Sequence, residues 1–197
     1  AQEAQKSMLF ALRNAYDAEL EKIVDRYHAQ HESDIQELIS IVDEQQEKLA
    51  SSRSIDAKSK AWFAMMLMGD LRSVAAVPIL MRLIAVKDKS LSINSNESQP
   101  HWYFFPAAAA LSKIGMPAVE HLMELARTAP PTNTAFQLCG VTLEAILGED
   151  LALVAVEQYA RQYPELLQPD RRAALTTLIR TGHKRWSAFG AADFSLE

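Results

Sequence analysis

The stretch Ala107-Ala-Ala-Ala-Leu-Ser-Lys-Ile-Gly-Met-Pro-Ala-Val-Glu-His-Leu-Met-Glu-Leu-Ala126 decides the fold class. Its first half is rich in alanine and ends on the apolar Ile114, and its second half carries apolar residues at helical spacing. Gly115 lies between the halves and can adopt the positive φ with which many helices end. Pro117 fits the first turn of a following helix, where its missing N–H costs nothing. The stretch therefore predicts two helices joined by a tight turn.

Two further copies of this helix pair can be aligned on a glycine. Upstream, Gly69 follows the apolar run that begins at Ala61, and downstream Gly148 follows the run that begins at Gly140. One helix pair cannot cover its own apolar face, so copies of it are expected to stack. The glycines are 46 residues apart (115 − 69) and 33 residues apart (148 − 115). The longer spacing is explained by a polar insertion at Lys87–Gln99.

This pattern resembles HEAT repeats, the two-helix units in which small residues, an apolar residue and a glycine recur at fixed spacing. The resemblance covers roughly Ile55 to Tyr163. The matching residues are Ala61, Ala64, Met68, Gly69 and Asp70 in the first copy, Ala107, Ala110, Leu111, Ile114, Gly115 and Pro117 in the second, and Gly140, Ile146, Leu147, Gly148 and Asp150 in the third. The resemblance implies an all-α fold, a short right-handed α-solenoid of helical hairpins, and by association a binding role.

The chain is predicted to form one all-α domain over residues 1–197. Its parts are an N-terminal pair of long helices (1–50), HEAT-like hairpins (55–163), and a terminal helix with a capping tail (169–197). In the first part, apolar residues recur every three or four positions from Ser7 to Tyr27 and from Ile35 to Leu49. This helix pair either packs as the first layer of the solenoid or projects and joins two copies into a homodimer.

Several residues predict where individual helices begin and end. Ser33, Ser54 and Asp150 are of types that cap helix N-termini. Pro78 lies inside an otherwise helical run, which predicts a kink or a helix that starts later. Gly182 is predicted to close the last helix and to leave an irregular tail.

Composition and charge exclude several functional classes. The formal net charge of −5 argues against a dedicated nucleic-acid binder, which usually carries a basic excess. Cys139 is the single cysteine, so neither an intramolecular disulfide nor a cysteine-based zinc site is expected, and its apolar neighbours predict a buried, inert thiol. No run of about 20 apolar residues occurs, so no membrane span is predicted. The chain begins at Ala1 without a methionine, as an exported protein trimmed after its signal peptide would, although an internal fragment of a cytoplasmic protein would look the same.

No motif for catalysis is found in the sequence. A Gly-rich phosphate loop, Gly-x-Ser-x-Gly, His-Glu-x-x-His and a cysteine pair are all missing. Glu120, His121 and Glu124 share one helix and are interpreted as solvated charges rather than as acid–base groups. Four polar residues between the N-terminal helices could be considered as metal ligands: His28, His31, Glu32 and Asp34. They are interpreted as a polar helix end because a second ligand pair is missing, so we predict no catalytic residues, no metal and no cofactor.

An aromatic run is the first candidate binding surface. It consists of His101, Trp102, Tyr103 and Phe104, and it follows the polar insertion directly. If these rings are exposed, they are suited to bind a peptide or another subunit, since Trp and Tyr often dominate such contacts. The alternative is that the rings pack beneath the insertion. The sequence thus favours a protein-interaction or scaffold module whose partner is an unknown protein or peptide.

A basic concentration near the C-terminus is the second candidate. Its residues are Arg171, Arg172, Arg180, Lys184, Arg185 and Trp186. Basic side chains with an aromatic ring are typical of phosphate-backbone binding, so the alternative function is that of a HEAT-like nucleic-acid-binding protein or DNA glycosylase. A third class, the HEAT-like phycobilin lyases, offers no active-site residue that matches this chain.

Overall fold

The computed structural model describes residues 32–57, 59–89, 104–164 and 168–190; for residues 32 and 182–190 it describes the backbone alone. Within these ranges the chain is almost entirely helical, which confirms the all-α class. The α-helices found there are α1 (Glu32–Asp43), α2 (Gln46–Ser52), α3 (Lys60–Asp70), α4 (Val77–Arg82), α5 (Pro106–Ile114), α6 (Val119–Thr128), α7 (Thr134–Leu147), α8 (Glu149–Gln162) and α9 (Pro169–Gly190). Two short strands, β1 (Ser54–Ile55) and β2 (Lys87–Asp88), pair in parallel.

The helices pack in a regular order along the chain. Helices α1, α3, α5, α7 and α9 each contact the next member of this series. Helix α4 packs on α5 and α6, while α6 also packs on α7, and α8 packs on α7 and α9. One continuous hydrophobic core joins these elements, from Val42 near the beginning to Ile179 near the end.

Helix α5 lies at the centre of the first half of this core. All six residues from Pro106 to Leu111 are buried, because α3, α4 and α7 pack around the helix. Alanine suits this position, since its small side chain lets neighbouring backbones come close. Gly69 of α3 shows how close: a Cβ placed on it would lie 2.7 Å from the Cα of Ala110. A second close approach occurs between Gly140 of α7 and Leu178 of α9. A Cβ placed on Gly140 would lie 2.7 Å from the Cβ of Leu178.

Of the three glycines used to align the helix pairs, two end a helix as predicted and one does not. Gly115, with φ 83°, ends α5, and Gly148, with φ 76°, ends α7. Gly69 instead lies within α3, and the chain bends at Arg72, with φ 50°. The Ser73 N–H closes this turn by donating to the carbonyl of Met68 at 3.0 Å. The equivalent bends are therefore at Arg72, Gly115 and Gly148.

Pro78 predicted either a kinked helix or a helix that starts later, and the structure shows the later start. Val74–Ala76 forms a 3₁₀ turn, and α4 begins after it with Pro78 in its first turn. Because proline lacks an N–H, it costs no hydrogen bond at this position. The turn before α6 has the same construction, with a 3₁₀ turn at Met116–Ala118 that contains Pro117.

The predicted helix caps are wrong at three positions. Ser33 lies inside α1, and Ser54 lies in β1, where it pairs with Lys87. The cap of α3 is Ser59, whose hydroxyl accepts from the Trp62 N–H at 3.3 Å. Asp150 is the second residue of α8 rather than its cap. Serine and aspartate are common beside helix starts, so residue type alone does not select the capping position.

The last helix is longer than predicted. Helix α9 continues through Gly182 to Gly190, so the expected irregular segment after Gly182 is helical. A single glycine inside a helix costs only about 1 kcal/mol relative to alanine, which the surrounding helix can absorb.

The segment predicted as a polar insertion begins inside the fold. Asp88 of β2 is 3% exposed, and its Oδ2 accepts from the Trp62 Nε1–H at 3.0 Å. Trp62 is thereby held against the core, whereas its neighbour Phe63 is 49% exposed. Lys89 adds an ion pair with Asp56, with 3.4 Å between Nζ and Oδ1. Residues 90–99 of the insertion lie outside the described residues.

The N-terminal helix pair is described only in part. The apolar period from Ile35 to Leu49 runs through two helices, α1 and α2, which meet at Glu44–Gln45, rather than through one long helix. Helix α1 packs on α3 and α4, so this part forms a layer of the fold. The first period, Ser7–Tyr27, and with it the homodimer prediction, lies outside the described residues.

We expect the substitution Gly69→Ala to destabilise the protein by about 1–3 kcal/mol, because the added methyl would have to displace the backbone of α5. Helix propensity alone predicts the opposite, a gain of about 1 kcal/mol. Urea unfolding of both proteins measures the difference, and Gly69→Ser should lose still more. An increase in the free energy of unfolding for Gly69→Ala would contradict the close packing of α3 on α5.

Candidate interaction surface

The predicted aromatic surface is not formed by Phe104. Its side chain is only 9% exposed, and that of Phe105 is 4% exposed. Both rings belong to the hydrophobic core at the start of α5. Phe104 is therefore largely covered by the core, and its contact with a partner stays a prediction. His101, Trp102 and Tyr103 lie outside the described residues.

The basic concentration is largely used within the fold. Arg171 donates through Nη1 to the carbonyl oxygen of Ala126 at 2.8 Å and also to that of Ala129. Its guanidinium carbon lies 5.8 Å from the centroid of the Phe136 ring. Arg171 thus satisfies carbonyls that the end of α6 leaves without helical partners. Arg172 forms an ion pair with Glu157 on α8.

The structure describes less of the other residues in this basic concentration. The backbones of Lys184, Arg185 and Trp186 belong to α9, and their side chains lie outside the described part of the structure. Arg180 is exposed on the same helix. Among the described side chains, two arginines are therefore engaged in contacts between helices and one is exposed.

Glu124 lies on the exposed face of α6, where it belongs to a cluster between α6 and α8. Its Oε2 accepts from Arg127 Nε at 2.8 Å and from the Tyr159 hydroxyl at 3.0 Å. Arg127 also lies over the ring of Tyr163, 5.7 Å from its centroid, and the two tyrosine rings are 4.4 Å apart. These contacts join the C-terminal ends of α6 and α8.

The electrostatics of this cluster do not suit acid–base catalysis. The hydrogen bond from Arg127 holds the pKa of Glu124 below its ordinary value. Burial raises the pKa of Tyr159, and its hydrogen bond to Glu124 raises that pKa further. Near neutral pH the carboxyl is therefore ionised and the phenol protonated, and both are engaged with each other. Neither group is poised to exchange a proton with a substrate.

No group of three or more metal-ligating side chains is found among the described residues. Asp34 is exposed on α1, and His28 and His31 lie outside the described residues. Cys139 is fully buried on α7, as predicted, and burial raises the pKa of its thiol above the usual range. In the part of the chain that the structure describes, no helix is both long and apolar enough to cross a membrane.

The bends of the three helix pairs lie on one edge of the molecule. Asp70 at the end of α3 forms an ion pair with Lys113 at the end of α5, so the C-terminal ends of these helices are side by side. Arg127 and Tyr163 bring the C-terminal ends of α6 and α8 together in the same way. The N-terminal ends of α6 and α8, which follow the bends, therefore lie together on the opposite edge. We call this edge, with the bends at 72, 115 and 148, the turn edge.

A row of exposed apolar side chains follows the turn edge. Val74 is 54% exposed, Met116 is 64% exposed and Leu151 is 62% exposed. Each comes one to three residues after a bend, at the beginning of the second segment of its helix pair. Single exposed apolar residues are normal on protein surfaces. Three at corresponding positions form a repeated feature, which we call the apolar row.

The dimensions of the apolar row follow from helix packing. Helices α3, α5 and α7 contact one another in series, and packed helix axes are about 8–10 Å apart. Three helices stacked at this spacing extend over about 20 Å. Sequence periodicity missed the row because Val74 and Met116 lie in 3₁₀ turns and Leu151 lies in the first turn of α8. At such positions an apolar residue gives no sign of whether it is buried.

We expect Glu124→Gln to lower the free energy of unfolding at about pH 7 by up to about 1 kcal/mol, since the cluster is at the surface. A carboxyl with a lowered pKa contributes stability above its unfolded value of about 4.3 and loses it as the pH falls through the folded value. The deficit of the variant should therefore be smaller at about pH 3 than at about pH 7. Urea unfolding at both pH values measures this, with Glu120→Gln on the same helix as control; an equal deficit at both values would contradict the ionised cluster.

We expect Arg171→Met to destabilise the protein by about 1.5–3 kcal/mol, because the carbonyls of Ala126 and Ala129 lose a charged donor. Arg172→Met removes only an exposed ion pair and should cost less than about 1 kcal/mol. Thermal or urea unfolding separates the two. Equal effects of the two substitutions would show that Arg171 does not stabilise the end of α6.

Comparison with known proteins assigns no family to the chain. No protein-family model matches it, and neither the curated proteins nor the solved structures contain a significant match. Functional conclusions for this protein therefore rest on its own residues and their geometry.

Proposed function

We propose that the protein is a protein-interaction or scaffold module, built as a short α-solenoid of HEAT-like helix pairs and without catalytic activity of its own. Two observations support the solenoid. Helices α3, α5, α7 and α9 pack in series, and the corresponding bends at Arg72, Gly115 and Gly148 lie on one edge. Repeats of this kind expose a large surface for their mass, which suits binding.

The observation that carries the proposal is the apolar row. Val74, Met116 and Leu151 each keep more than half of their surface exposed to solvent. Full burial of a large apolar side chain is worth about 1.5–3 kcal/mol, so covering three of them offers several kcal/mol before the costs of association. A row of about 20 Å matches a partner helix of about four turns laid along the turn edge.

The charged groups of the described residues support binding over chemistry. A catalytic site needs titratable groups that converge on a position where a substrate can lie. In the cluster of Glu124, Arg127 and Tyr159, the hydrogen-bonding atoms are directed at one another and join α6 to α8. Its role is accounted for by stabilisation of the fold.

Nucleic-acid binding is less well supported than protein binding. Arg171 and Arg172 are engaged with carbonyls and with Glu157, so they are not displayed for phosphates. The net charge of −5 repels a polyanion at long range. The apolar row also has no use in contacts with a phosphate backbone.

The proposal is tested by crosslinking with mass spectrometry in an extract of the source cells, using the full chain as bait. We expect crosslinked partners to contact residues beside the apolar row. The triple substitution Val74→Gln, Met116→Gln and Leu151→Gln should reduce partner recovery by at least about tenfold, which is a loss of about 1.4 kcal/mol.

A matched control uses the two exposed apolar side chains one turn apart on α3, Phe63 and Leu67. Phe63→Gln with Leu67→Gln makes the same chemical change at exposed positions that do not belong to the apolar row and should leave recovery unchanged. Both variants should retain the native circular-dichroism spectrum. Partners retained by the triple variant would remove the apolar row from the proposal, and no specific partner for the native chain would reject the interaction module itself.

A further inference from the structure

A groove between α8 and α9 lies beside the apolar row. It encloses about 410 Å³ and is open to solvent along one side. Its lining residues are Leu153, Val154, Glu157, Gln158, Arg161, Thr176 and Arg180. On α8 they follow one stripe of the helix, and on α9 Thr176 and Arg180 are one turn apart, so both walls are built on regular secondary structure.

The lining of the groove includes two arginines that have no ion-pair partner among the described side chains. Arg161 and Arg180 are exposed, and neither forms an ion pair or a hydrogen bond with another described side chain. The carboxylate of Glu157, by contrast, is already neutralised by Arg172. Two guanidinium groups are thus available to a ligand, and each can bind a carboxylate through two parallel hydrogen bonds.

The groove is also continuous with the apolar row. Val154 is 50% exposed and lies three residues after Leu151, so the two side chains are neighbours on the same face of α8. Leu153 adds a partly buried apolar surface beside them. A segment that covers Leu151 therefore meets Val154 next and the arginines beyond it.

We propose that this groove binds an acidic segment of the partner protein, in which Asp or Glu side chains flank an aliphatic residue. The aliphatic residue packs on Leu153 and Val154, and the carboxylates pair with Arg161 and Arg180. The proposal rests on the proposed function and names the chemistry of the partner. From Leu153 to Arg161 the helix rises about 12 Å, which corresponds to about two turns of a bound helix.

A peptide fits the groove better than a nucleic acid does. The exposed Val154 gains by meeting an apolar side chain, which a phosphate backbone does not supply. Two cations offer few phosphate contacts, whereas nucleic-acid affinity depends on many of them.

The test begins with random peptides of about 12 residues displayed on phage and selected on the full-length chain at about 150 mM salt, where long-range charge effects are screened. We expect the enriched peptides to contain Asp or Glu within one helical turn of Leu, Ile or Val. Fluorescence anisotropy of the strongest labelled peptide then gives its dissociation constant. Arg161→Glu with Arg180→Glu should weaken binding at least about tenfold, since attraction becomes repulsion.

The matched control is Lys48→Glu with Lys60→Glu, which makes the same change in net charge at exposed positions on α2 and α3. It should change the dissociation constant less than about twofold, because separated surface charges are screened by salt. Equal binding by the Arg161 and Arg180 variant, enriched peptides without acidic residues, or no enrichment would each overturn the groove as the acidic-peptide site. Displacement of the peptide by duplex DNA at the same salt would overturn it in favour of nucleic acid. The crosslinking experiment tests the interaction module separately. If partners crosslink to residues away from the groove, the proposed interaction function is retained and only the groove is rejected as its site.

Discussion

The close approach of α3 to α5 is the constraint on which the rest of the structure depends. Gly69 lies against the backbone of Ala110, and a Cβ at Gly69 would come within 2.7 Å of it. At this separation the backbones themselves fill the interface, so the core side chains around them must be small, as the buried run Ala107–Ala110 is. The ion pair between Asp70 and Lys113 then fixes the ends of the two helices side by side. The turn edge follows from this alignment, because the chain must leave both helices on the same side.

The position of the bends also explains why apolar side chains are exposed where they are. Where a helix ends beside its neighbour, the chain has to change direction within a few residues. The first residues after such a bend lie at the edge of the fold, where no further helix covers them. Val74, Met116 and Leu151 occupy such positions. Their exposure results from the geometry of the fold, and their apolar character is what makes the turn edge a candidate surface for a partner.

Charged residues of this chain acquire their roles only through tertiary contacts. Arg171 and Arg180 are equivalent in sequence terms, since both are arginines on one helix. In the structure, Arg171 donates to carbonyls at the end of α6, whereas Arg180 lines an open groove. Glu124 likewise changes from a surface charge to the centre of a cluster because Arg127 and Tyr159 meet it there. A residue count of basic or acidic side chains cannot separate these cases, because Ala126 lies 45 residues from Arg171 in the chain and Tyr159 lies 35 residues from Glu124.

The sequence by itself determined the all-α class, the bends at Gly115 and Gly148 and the burial of Cys139, because helical periodicity, positive φ and the apolar neighbours of a residue act over short stretches of chain. Only the tertiary structure decided that Gly69 is a packing residue and that Phe104 is buried, and only there do the apolar row and the groove with Arg161 come together. These features depend on which surfaces meet across long stretches of chain. Local propensity is the same whether a helix face is covered by a neighbour or left to solvent, so burial and exposure at such positions are set by the packing of the helices.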